Sequence, residues 1–104
     1  MDVVEVVLSW GATVLVVEHV RAGRGLALGE RGDLVLPADI VGGERVEIVR
    51  YDEESARIFV PPGARLRVDG RDREEKSVEL ARGQLMELAI GPFVVHRRFD
   101  GRER

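Results

Sequence analysis

Leu80-Ala81-Arg82-Gly83-Gln84-Leu85-Met86-Glu87-Leu88-Ala89-Ile90-Gly91-Pro92-Phe93-Val94-Val95 separates a strand from a helix reading of this chain. Two apolar runs, Leu85–Ile90 and the one opening at Phe93, flank Gly91-Pro92. Such a dipeptide ends one element and turns the chain, because glycine accepts φ > 0 and proline fixes φ. The competing reading is a helix over Glu74–Leu85. Gly83 and β-branched Val78 both weaken it. The stretch therefore reads as strand, turn, strand.

The same habit extends to the front of the chain. Val3–Trp10 is rich in valine, and Thr13–Val20 repeats that richness after Gly11-Ala12. β-Branched residues on both sides of a short glycine-containing junction predict a hairpin. Val3-Val4 and Val6-Val7 put apolar groups on both faces of the first strand, as an interlayer or interface strand does. Further apolar segments are Leu26–Leu28, Leu34–Leu36, Val46–Val49, Ala56–Val60, Leu66–Val68, Val78–Leu80 and Phe93–Phe99. Alternation in Leu34/Leu36, Val46/Ile48, Ile58/Val60 and Leu66/Val68 assigns each pair to one buried face. Pro37–Glu44 reads as a loop with room for one helical turn, and Pro61-Pro62-Gly63 as a rigid turn. Arg65 and Arg67 alternate with Leu66 and Val68 and so line an exposed face. Arg71, Arg73, Glu74, Glu75 and Lys76 read as a charged loop. About ten short strands with frequent turn signals predict an all-β sandwich or barrel.

Composition bounds the function. The chain has 104 residues, 44% of them hydrophobic and 34% charged, which is one soluble globular domain with a single core. No apolar run approaches the ~20 residues of a membrane span. Met1-Asp2 is acidic and leads directly into strand-like sequence, so the start does not read as a signal peptide. With no cysteine there is no disulfide or thiolate metal site, as suits a reducing cytoplasm. A net charge of −3 argues against a nucleic-acid partner, which requires a concentrated basic face. The domain is expected to span residues 1–98, with 99–104 as a charged tail or the start of a linker.

Several of these segments, in order, resemble the skeleton of a forkhead-associated (FHA) domain. They are Leu26-Ala27-Leu28-Gly29-Glu30 with Asp33-Leu34-Val35-Leu36-Pro37, then Val68-Asp69-Gly70, Leu80-Ala81-Arg82-Gly83-Gln84 and Ile90-Gly91. The resemblance covers residues 13–98. It implies an FHA-like (SMAD/FHA) β-sandwich of ten to eleven strands whose loops at one end receive a protein partner. In that family a Gly-Arg pair meets the phosphate of phosphothreonine; here the pair is Gly29-Glu30, and a carboxylate there repels phosphate. A Ser-x-x-His segment of the family corresponds to Gly43-Glu44-Arg45-Val46, which has neither residue. An Asn-Gly of the family falls near Pro62-Gly63 or Gly63-Ala64, without asparagine.

The resemblance thus implies a phosphorylation-independent protein-binding module or scaffold, with no cofactor. Similar degenerate domains occur in bacterial envelope machinery, including secretion-ring and gliding-motility proteins. That places the domain in the cytoplasm, as part of a larger envelope-associated protein. The expected rim residues are Glu30, Arg31, Gly43 and Arg45, with Gly29-Glu30 ending a strand and Gly43–Arg45 facing it across a short gap. An alternative keeps phosphothreonine or anion binding through a relocated pocket of Arg31 and Arg45. Another alternative is a homo-oligomer, a structural sandwich assembling through the Val3–Val7 strand, read as an edge.

The remaining residues carry blander readings. Ser9, Ser55, Ser77 and Thr13 are the available hydroxyls, and His19 and His96 the available bases. The histidines read as surface or edge strand residues, so no enzyme is expected. Two isolated histidines make no metal site. Asp52-Glu53-Glu54 reads as a solvated hairpin turn. Trp10, the one tryptophan, reads either as a cap on the core or as an anchor in a protein interface.

Overall fold

The computed structural model describes residues 3–21, 23–52, 55–81 and 83–98. It is all-β, with ten strands in two antiparallel sheets and one helical turn. The strands are β1 (Val3–Trp10), β2 (Thr13–Arg21), β3 (Leu26–Leu28), β4 (Val46–Asp52), β5 (Ser55–Phe59) and β6 (Arg65–Val68). β7 (Arg71–Arg73), β8 (Ser77–Leu80), β9 (Leu85–Ile90) and β10 (Phe93–Arg98) complete them, and the helical turn is α1 (Ala38–Val41). The larger sheet has the order β2-β1-β10-β9-β6-β7 and the smaller β3-β4-β5-β8. The expected segments become strands with two departures: Leu34–Leu36 contributes only a parallel bridge between Leu34 and Leu28, and Arg71–Arg73 is a strand.

One core lies between the sheets. From the larger sheet come Val6, Leu8, Leu66, Val68, Met86, Leu88, Ile90 and Val95; the smaller sheet answers with Leu26, Leu28, Ile48, Val49, Ile58, Val78 and Leu80. β9 shows the cause most plainly. Met86, Leu88 and Ile90 are buried while Leu85, Glu87 and Ala89 are half-exposed, because a strand's side chains alternate between faces. Burying a side chain the size of Leu88 contributes about 1.5–3 kcal/mol.

The β6–β7 hairpin corrects the first half of the charged loop expected over Arg71–Lys76: Arg71–Arg73 is strand, while Glu74–Lys76 stays a loop. Asp69 (φ 51) and Gly70 (φ 81) both take left-handed backbone conformations, and Val68 pairs directly with Arg71. That is a two-residue connection of the I′ kind, for which Asp-Gly is a preferred sequence. Its twist matches that of the flanking strands, so Arg71–Arg73 returns along β6. Asp69 also exchanges backbone and side-chain hydrogen bonds with Leu85, each 2.9 Å. The pattern Leu66-x-Val68-Asp69-Gly70 carried this signal; the charges that follow it obscured it.

Two further expectations are corrected. β1 is not an edge: it lies between β2 and β10, so its two-sided apolar character reflects strand neighbours as well as the core. Trp10 does not cap the core. It is 56% exposed and lies with its ring centroid 5.5 Å from that of Phe93. Arg97, despite its charge, is buried, with only 1% of its surface accessible. It is the third inward position of β10 after Phe93 and Val95, so strand alternation carries it inside. There its Nη2 donates to the Arg24 carbonyl oxygen at 2.8 Å, and its guanidinium lies 5.6 Å from the Tyr51 ring centroid. Burial pushes the guanidinium below its ordinary pKa, opposed by the Tyr51 hydroxyl and the charge of Asp33. The expected tail, 99–104, and Glu53-Glu54 of the expected acidic turn lie outside the described residues; Asp52 ends β4 and pairs with Ser55.

Candidate interaction rim

The segment between β3 and β4 forms the rim of the two-sheet body. β3 ends at Leu28, and the chain then wraps back on itself. Gly29 donates to the Leu34 carbonyl (3.2 Å) while its own carbonyl accepts from Gly32 (3.0 Å) and Leu36 (3.3 Å). Asp33 locks the base of this loop. Its carboxylate accepts from the Ala27 amide at 2.8 Å and from Arg24 Nη2 at 3.3 Å.

Gly29 shows why this residue type is needed. Its φ is +129°, and a Cβ built there would land on the Glu44 carbonyl group and within 2.9 Å of the Gly43 carbonyl oxygen. The backbones of Gly29 and Gly43-Glu44 therefore touch, which is the opposition anticipated between Gly29-Glu30 and Gly43–Arg45. Arg31 closes the gap by donating its amide to the Glu44 carbonyl at 2.8 Å. Arg45 adds a second tie, from Nη1 to the Arg31 carbonyl at 2.9 Å. α1 fills the span between these ends. Ile40 and Val41 donate to the Pro37 carbonyl, and Gly42 closes the helical turn in a left-handed conformation.

The charges at this rim alternate. Arg31 Nε lies 3.6 Å from Glu44 Oε1, with side chains 80% and 65% exposed. Glu30 is exposed, its Oε2 3.5 Å from the Ala38 amide that begins α1. Two carboxylates and two guanidinium groups thus share the surface. Arg45 and Glu47 also border a shallow concavity of about 140 Å³ with Arg24, Ala27 and Asp33. That is below the ~300 Å³ at which small-molecule pockets begin.

The structure brings Glu30, Arg31, Gly43 and Arg45 together. Trp10 stands at the same end of the body by a longer route: its ring meets Phe93, and Gly91, just before Phe93, lies against Ile40 of α1. Val35, 71% exposed, sits in the same loop and was not singled out from sequence. It stands between inward Leu34 and Leu36, the alternation that marks an outward position.

The candidate bases pair with carboxylates instead of hydroxyls. His19 lies 3.8 Å from Glu5, and His96 lies 3.5 Å from Glu87. Ser77 Oγ accepts from Arg57 at 3.3 Å. Among the described residues, no group of three or more His, Asp or Glu side chains is placed to hold a metal ion, and no helix is long and apolar enough to cross a membrane. The chain matches no protein-family model, no curated protein and no solved structure.

Proposed function

We propose that this is an FHA-like protein-interaction domain that engages its partner through the 29–45 rim without requiring phosphate. One observation carries the reading. At the position where the FHA family places its phosphate-binding arginine stands Glu30, and across the gap Glu44 adds a second carboxylate. Arg31 and Arg45, the neighbouring cations, are tied to Glu44 and to the Arg31 carbonyl. An anion arriving there meets two negative charges and must compete for cations already engaged.

The FHA-like assignment is supported by the ten strands with the additional Leu28–Leu34 bridge, which approach the family's eleven. It is also supported by reversals at Asp69-Gly70 and Gly91-Pro92. Placement within a larger, cytoplasmic, envelope-associated bacterial protein follows from the sequence resemblance alone.

Titration with matched phosphothreonine and unphosphorylated peptide libraries tests the reading. The expected result is no preference for the phosphorylated library. Micromolar binding that disappears on dephosphorylation would overturn it, and loss of that binding in Arg31→Ala/Arg45→Ala would assign it to those two arginines. The gain-of-function arm is Glu30→Arg with Gly43→Ser. Gly43 lacks the left-handed φ of Gly29, and a Cβ there meets only Val46 Cγ2 at 3.2 Å, so serine fits with a small adjustment. Weak phosphothreonine affinity should then appear.

A further inference from the structure

Among the described residues the larger sheet has two open edges, β2 and β7, and they are unlike each other. β2 presents nine residues, Thr13–Arg21, with Val14, Leu15 and Val17 among the largest exposed apolar groups. β7 presents Arg71-Asp72-Arg73. An exposed, valine-rich edge strand is a template for another strand. The pairing register of the sheet indicates which strand suits it.

Each row of paired residues can be followed from edge to edge. One row runs Glu18, Val6, Arg97, Met86, Val68, Arg71. Its four inner members are buried, so Glu18 and Arg71 end it on the core-facing side. The row therefore begins with an exposed carboxylate and ends with an exposed guanidinium. The adjacent core-side row begins at Val16 and ends at Arg73. On the outward face, the row through Val17, Val7, His96, Glu87 and Arg67 ends at Asp72. Its last four members alternate between basic and acidic residue types, with His96–Glu87 at 3.5 Å and Arg67–Asp72 at 3.2 Å.

We infer that β2 of one copy pairs antiparallel with β7 of a second copy, extending the sheet head to tail. Strand direction allows it: all neighbours in the sheet are antiparallel, so across six strands β7 runs opposite to β2. Face parity allows it as well, because continuing each row unshifted brings Glu18 opposite Arg71, both on the core side. Directly opposite side chains lie ~5 Å apart and diagonal ones ~7–8 Å. Arg73, which also holds Glu75 at 2.8 Å, is then diagonal to Glu18, while His19 is diagonal to Asp72. A slip of one residue turns Glu18 to the wrong face. A slip of two places it opposite Arg73.

Self-pairing of β2 is the competing arrangement, and charge does not favour it. Centred on Glu18 it sets two carboxylates face to face. Centred on Val17 it leaves Glu18 opposite Val16 with no cation. The head-to-tail contact supplies a cation, and because its two surfaces differ it does not stop at a dimer. With three residues in β7 the interface is small and belongs to the weak, transient class.

Sedimentation velocity on the full chain, over a concentration series at low salt, tests the inference. The mean sedimentation coefficient should climb past that of a dimer, and fall when salt is raised and charges are screened. Glu18→Arg and Arg71→Glu/Arg73→Glu should each weaken association at least tenfold while far-ultraviolet circular dichroism stays unchanged. Mixed in equal amounts, these two variants should associate again, because each supplies the charge that the other reversed. A monomer at every concentration overturns the inference. So does growth that ends at a dimer, or loss of association in Glu18→Arg with none in Arg71→Glu/Arg73→Glu.

Discussion

Arg97 Nη2 donates a hydrogen bond to the carbonyl oxygen of Arg24 at 2.8 Å, joining the last strand of one sheet to the loop that enters the other. A guanidinium buried between sheets loses hydration, and here a carbonyl, the Tyr51 ring and the Asp33 charge offset part of that cost. Arg97→Ala removes a large buried side chain and leaves the Arg24 carbonyl without this donor. It should destabilise the domain by about 2–4 kcal/mol in urea unfolding. Arg97→Met, which keeps most of the volume, should cost much less. Equal losses in the two variants would show that the guanidinium's charge and hydrogen bond, and not its packing, are what the site requires.

Gly29 is expected to tolerate no side chain. Its positive φ and its contact with the Glu44 and Gly43 carbonyls leave a methyl group no room. Gly29→Ala should cost more than the ~1 kcal/mol of conformational strain alone. Amide chemical shifts should move across 29–45 while β9 and β10 stay in place. Unmoved shifts at Arg31 and Glu44 would contradict the closed rim.

Gly70→Ala probes the hairpin that forms β7. At φ 81 an alanine is strained by about 1 kcal/mol. Hydrogen exchange should quicken for Arg71–Arg73 before it does so in the core strands. If the inferred head-to-tail contact is correct, the same substitution should also weaken association.

Glu75 should titrate far below an ordinary carboxyl. The Arg73 hydrogen bond, backbone hydrogen bonds and the Arg73 charge lower it from 4.5 to about 2, against an opposing contribution from desolvation. A carboxyl depressed on folding contributes stability that is fully present above its unfolded pKa and lost as pH falls through the folded value. The window is therefore roughly pH 4.5 down to 2. The pair is solvent-exposed, so its effect on stability should be slight. Carboxyl carbon NMR should find the Glu75 midpoint near 2, and Arg73→Gln should return it toward 4.5.

Trp10, as the only tryptophan, reports on the rim. Its exposure predicts iodide quenching close to that of the unfolded chain. Trp10→Ala should lose little more than the ~0.5–1.5 kcal/mol of an aromatic pair. Strong protection from quenching in dilute solution would mean that the ring is covered.

What could be read from the residues alone was periodicity and punctuation. Leu85–Ile90 became β9 with the bounds its apolar run set, and Gly91-Pro92 became the turn, because alternation and turn propensity act within a few residues. The helical turn in 37–44 was legible from Pro37 and Gly42-Gly43, and the opposition of Gly29 to Gly43–Arg45 because polar residues beside apolar strands must lie at the strand ends. Asp69-Gly70 carried an equally local signal for β7, which the neighbouring charges masked. Alternation also pointed Arg97 inward and Val35 outward; the groups that receive Arg97, the exposure of Trp10, and the choice of β2 instead of β1 as the edge were settled elsewhere. They depend on which strands lie side by side and how far the smaller sheet extends beneath the larger. Those relations come from packing between residues distant in the chain, such as Arg97 with Arg24, and no local pattern of residues encodes them.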